Sequence, residues 1–203
     1  MLTRCLAVLM TGVLLAAPAG AAEYDDPSWP CIQRKVEALS PGLMWPHPLT
    51  PMTPSANISP LVDDLVGRLV LRRVDLDAAR ALVEDFATRT GADTALMGHV
   101  FDRVFTRMAR DRRQIIAGIG DYSRQQIGLA ERIDTARAEM DSAMASDTPD
   151  FDRVDLLEEQ IDWDERIYTD RAKALTYVCE TPVLLEKRLY AIAQMLLAAA
   201  SDG

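Results

Sequence analysis

The feature that most constrains this chain is an apolar repeat whose spacing alternates between four and three residues along two stretches of similar length. An α-helix returns such positions to one seam, so each stretch reads as a long helix with a continuous apolar edge. The first edge carries Phe101, Phe105, Met108, Arg112, Ile115, Ile119, Tyr122, Gln126, Leu129, Ile133, Ala136, Met140 and Ala143. The second carries Val154, Leu157, Ile161, Asp164, Tyr168, Arg171, Leu175, Val178, Pro182, Leu185, Leu189, Ile192 and Leu196. Between them Ser146-Asp147-Thr148-Pro149-Asp150 collects turn formers and helix breakers that reverse the chain. The expected product is an antiparallel, coiled-coil-like helical hairpin over residues 94–198.

One register satisfies both edges. With Ala143 facing Val154, Leu129 meets Tyr168, Tyr122 meets Leu175 and Phe101 meets Leu196. The same alignment sets Gln126 opposite Arg171. A buried polar group without a partner costs about 1 to 3 kcal/mol, so a Gln126–Arg171 layer is expected to fix register, the amide oxygen accepting from the guanidinium. The competing reading lets Arg171 extend to water.

The start of the chain has a different purpose. Residues 1–22 have the form of a secretory signal peptide: Arg4, an apolar run from Cys5 to Ala17, then the small residues Ala19-Gly20-Ala21-Ala22. That run is shorter than the roughly 20 residues a membrane span needs, so no anchor is expected after cleavage. A periplasmic or secreted location follows. Cleavage would leave Cys31 and Cys179, an even pair in an oxidising compartment, and a disulfide between them is expected.

Charge narrows the partners. Against 31 Asp plus Glu stand 22 Lys plus Arg, and loss of Arg4 leaves 21, a net charge of −10. Such a surface repels phosphate backbones and anionic headgroups, so nucleic acid and membrane surfaces are disfavoured.

Residues 23–58 form a proline-rich arm with Pro27, Pro30, Pro41, Pro46, Pro48, Pro51 and Pro54, expected to be extended and to pack Trp29 and Trp45 onto the helices. Residues 59–203 form the helical domain. Ser59-Pro60 reads as a cap and first turn, with Asp63 and Asp64 near the positive helix end. A break at Arg73 to Asp75 leads to a second helix ending at Gly91, and Asp93 or Thr94 caps the hairpin. Apolar flanks near the hairpin base call for cover by these two helices, whereas the flanks near the tip are charged. The fold class is therefore all-α: a long helical hairpin, two shorter helices on its base and an extended arm. Pro182 interrupts the second edge without breaking its spacing, which favours one continuous helix over two.

Candidate chemistry is sparse. Met44, His47 and Met52 are weak candidates for a soft metal such as Cu(I), with gap-filling as the plainer role for the methionines. Asp162, Asp164, Glu165 and Asp170 cluster with Trp163 and Tyr168, but helical spacing spreads them over several faces. With two histidines in the whole chain, triads and zinc sites have little material. No catalytic residue and no cofactor is expected. The leading expectation is a protein-interaction or scaffold module using the projecting hairpin, with homo-oligomerisation open; the alternative is a periplasmic ligand or copper carrier.

Overall fold

The computed structural model describes residues 26–200; the expected signal peptide, 1–22, and the first residues of the expected arm, 23–25, lie outside them. Four α-helices make up the described chain: α1 (Ser59–Leu69), α2 (Leu76–Thr90), α3 (Thr94–Met144) and α4 (Phe151–Ala199). No strand occurs among the described residues, and the arm adds only a single 3-10 turn at Pro41–Leu43. The expected architecture is the observed one, and at 1.5 Å per residue each hairpin leg is about 75 Å long.

Aspartates set most of the helix starts. Asp75, Asp93 and Asp150 each accept from a backbone N–H three residues on, at Ala78, Leu96 and Arg153, satisfying donors the first turn leaves free. Gly91 closes α2 in the left-handed region, φ 57°, donating its N–H to Ala87 O. Helix α1 departs from expectation, because Ser59 does not cap it. A preceding turn already carries the chain in, with the N–H groups of Ile58 and Ser59 both donating to Ser55 O. Asp63 and Asp64 fall past the first turn and pair instead with Arg103 and Arg68.

Packing divides into two apolar bodies. The base core joins Val62, Leu65, Val66 and Leu69 of α1, Ala79, Val83 and Phe86 of α2, and the facing ends of α3 and α4 from Phe101 and Leu196 to Met108 and Leu185. Met44 and Trp45 of the arm belong to it. A smaller cluster near the tip joins Leu129, Ile133 and Ala136 to Leu157 and Ile161. Burying a large aliphatic side chain stabilises by about 1.5 to 3 kcal/mol, so both bodies hold the hairpin shut.

Between them the returning edge is looser than the spacing implied. No α4 residue between Ile161 and Cys179 is buried; Tyr168 and Val178 are exposed, and Leu175 is half-buried. On α3 the same stretch keeps Ile116, Ile119, Gly120, Ser123 and Gln126 buried. The arm supplies the missing cover. It descends α3 from the middle towards the base: Ser123 Oγ donates to Pro27 O at 3.2 Å, Arg112 donates to Val36 O, and Trp45 stacks on Phe101 with ring centroids 5.1 Å apart. Cys31 and Cys179 are joined as expected, with Cα atoms 5.5 Å apart, pinning the arm to α4 just before Pro182. Helix α4 runs unbroken through that proline.

Candidate functional site

The expected polar layer is only half present. Gln126 is buried, but its Nε2 donates to the carbonyl of Tyr168 at 3.0 Å and its Oε1 has no hydrogen-bond partner among the described residues. Arg171 is half-buried and does not reach that oxygen; its guanidinium lies over the Tyr122 ring, 5.8 Å from the centroid. A ring face offers a cation a partner without requiring a fixed acceptor, and it lets Arg171 keep one side in water.

The buried cation of this hairpin is Arg112, 4% exposed. Three segments converge on it. Its Nε donates to Pro182 O at 3.2 Å, its Nη1 to Val36 O at 2.5 Å, and its Nη2 to Glu186 Oε2 at 3.4 Å. Burial lowers its affinity for the proton and the Glu186 carboxylate opposes that shift; a guanidinium stays charged under any such balance. The planar fork suits this task, since its donors diverge to an arm carbonyl, a helix carbonyl and a carboxylate at once. Arg112 was visible on the apolar edge, and its cationic side chain at a seam position was the available signal. Its partners were not visible, because two of them are backbone carbonyls.

A second locus lies where the arm meets the base. Leu49 to Met52 and the α3 residues Gly98, His99 and Asp102 line a cleft of about 370 Å³. Gly98 makes room above it: a Cβ there would sit 3.3 Å from Trp45 Nε1, a tight contact that the bare backbone spares the indole. Burial, then the neighbouring Arg103, holds His99 below the usual imidazole range, against the pull of Asp102 and Asp63. Of the three weak metal candidates, Met52 lines this cleft, Met44 is packed in the base core, and His47 is exposed with its ring edge-on to Trp45 at 6.0 Å. Among the described residues no three His, Cys, Asp or Glu side chains are grouped to hold a metal ion.

The acidic aromatic patch on α4 resolves into separate ion pairs. Glu165 pairs with Arg137 at 2.6 Å, Asp170 with Lys173 at 3.5 Å, and Asp164 approaches Arg132 at 3.9 Å. Its carboxylates do not converge, so shared-proton chemistry has no geometry there. No protein family, characterised relative or solved structure matches this chain. Its surface must speak for itself.

The surface of the distal hairpin is unusually apolar for a charged helix. Phe151, Leu156 and Trp163 of α4 are each more than 60% exposed, beyond the reach of α1 and α2. Among the described residues no helix is long and apolar enough to cross a membrane.

Proposed function

We propose that this is an exported protein whose projecting hairpin binds a protein partner through paired helix faces. The observation that carries the reading is the exposure of Phe151, Leu156 and Trp163 on the tip half of α4, where only α3 packs and leaves these side chains in water. Large aromatic and aliphatic side chains are the usual anchors of helix-mediated recognition. A periplasmic or secreted address is supported by the leader-like residues 1–22 and by the Cys31–Cys179 bond, which persists in oxidising surroundings. The net charge of −9 favours protein over nucleic acid or anionic lipid.

The test is affinity capture from the envelope of the exporting cell with residues 137–158 intact and deleted. Deletion is expected to abolish capture while the base core still folds. Capture that survives deletion overturns the hairpin as the binding element.

A second reading, a small-ligand or copper carrier, is favoured by one observation: the cleft lined by both Met52 and His99, whose affinity for a proton is lowered by burial. Trp45, in contact with Gly98 at that cleft, is a natural reporter. Cu(I) titration of the mature protein is expected to quench its fluorescence at equimolar metal if the cleft binds, and an unchanged signal removes this reading in its copper form.

A further inference from the structure

Helix α4 carries a second apolar seam that its own chain covers only at the base. Leu156, Trp163, Tyr177 and Leu184 stand at multiples of seven residues, with Asp170 at the one polar position of the series; Ala174 lies between Asp170 and Tyr177, and Ile167, four residues after Trp163, marks the inner margin where α4 packs on the tip cluster. The alternation of four and three is the same one that defines the hairpin seam, rotated to the outside of the helix. Leu156, Trp163, Tyr177 and Leu184 are all strongly exposed, and Ala174 is small and exposed. Towards the base the same series is covered: Arg188 donates to Leu69 O and Met195 is buried in the core. The arm leaves it open, because Cys179 lies two residues, about 200° around the helix, from Tyr177.

We propose that this seam pairs antiparallel with the same seam of a second copy of the chain, forming a two-fold dimer. The charges beside the seam select both the partner and the register. Glu159, Arg166, Lys173, Glu180 and Lys187 recur every seven residues along one flank, all exposed. About a two-fold axis crossing α4 beside Ala172 and Lys173, Glu159 faces Lys187 of the second copy and Arg166 faces its Glu180, each pair made twice by symmetry. Lys173, at the axis, is already matched by Asp170 of its own helix at 3.5 Å. A slip of one heptad in one direction sets Glu159 against Glu180 and Arg166 against Lys173, and in the other it sets Arg166 against Lys187, so each slip trades attractive pairs for repulsive ones and the favoured register keeps the most. In the favoured register Leu184 of the second copy enters at Gln160, into the depression between Leu156 and Trp163. The acidic start of α4, Asp152 and Asp155, then arrives near Arg72 and Arg73, just beyond the Leu69 carbonyl that Arg188 holds.

This proposal rests on the interaction reading and names its partner. Sedimentation and light scattering of the mature, oxidised protein at up to about 100 µM should show a dimer. The double variant Trp163→Glu with Tyr177→Glu should be monomeric with unchanged helicity and melting temperature, since both side chains are exposed. Glu159→Lys or Lys187→Glu alone should weaken the dimer about ten-fold, and the two together should restore it. A monomeric wild type, a dimer that survives Trp163→Glu with Tyr177→Glu, or failure of the charge swap to restore pairing overturns the arrangement. A monomer that still loses envelope capture on tip deletion overturns the self-pairing alone and leaves the hairpin-binding reading standing.

Discussion

A single guanidinium does more to define the middle of this molecule than any apolar residue there. Arg112 ties the arm at Val36, the helix at Pro182 and the carboxylate of Glu186. Removing it takes a donor from one buried and one part-buried carbonyl and from a carboxylate, and empties the space its buried stem fills, each lost contact counting about 1 kcal/mol. Arg112→Ala is therefore expected to cost about 3 kcal/mol in chemical denaturation, and Arg112→Lys to recover little, because an ammonium cannot span divergent acceptors. A stability equal to wild type for Arg112→Lys would show that one contact suffices. His99 sets a pH dependence. Its folded proton affinity is lowered, chiefly by burial, so the unfolded chain binds more protons just below the ordinary imidazole value. Stability from this group is full above about pH 6.5 and is lost as pH falls through the lower, folded value. Melting temperatures across pH 4 to 8 should show that loss, and His99→Gln should flatten it.

At the scale of elements, the apolar spacing predicted both long helices, their reversal and the two shorter helices at the base. The cap at Asp93 and the stop at Gly91 were legible, because each acts on backbone within four residues of itself, whereas Asp75 and Asp150 read only as parts of a break and a turn. What the spacing could not report is which seam positions are buried by α4 and which by the arm. Tyr168 and Val178 keep the period yet face water; beside Val178 the proline-rich strip, tied at Cys31–Cys179, covers α3 in place of the helix. The polar layer failed for a related reason: Gln126 found a backbone carbonyl, and main-chain acceptors leave no trace in side-chain patterns. Where the spacing and the structure agree, substitution should be severe. Leu129, 1% exposed in the tip cluster, is expected to tolerate Asp at a cost of several kcal/mol, read as a large fall in melting temperature. An unchanged transition would place that residue at the surface.

For the whole molecule, the arm and its bond to α4 convert a hairpin with a loose waist into one closed body. The cysteines are 148 residues apart, and in the chain-entropy model a loop of that length stabilises by about 5 kcal/mol. The variant Cys31→Ser with Cys179→Ser should unfold at lower denaturant with the arm released first, seen as earlier exposure of Trp45 than of the base helices. A single coincident transition at the wild-type midpoint would show that packing alone retains the arm. Of the candidate sites, the cysteine pair was legible because compartment and parity limit it to one partner each. The cleft at His99 was not, because Met52 and His99 come from segments brought together only by the descent of the arm.

The position of the two cysteines also orders assembly in time. A polypeptide made amino end first presents Cys31 long before its mate exists, so the early thiol must wait through the birth of three helices and more than half of a fourth. A product cut short anywhere before Cys179 keeps that thiol unclaimed, and the clasp doubles as a chemical receipt that α4 was made past its midpoint.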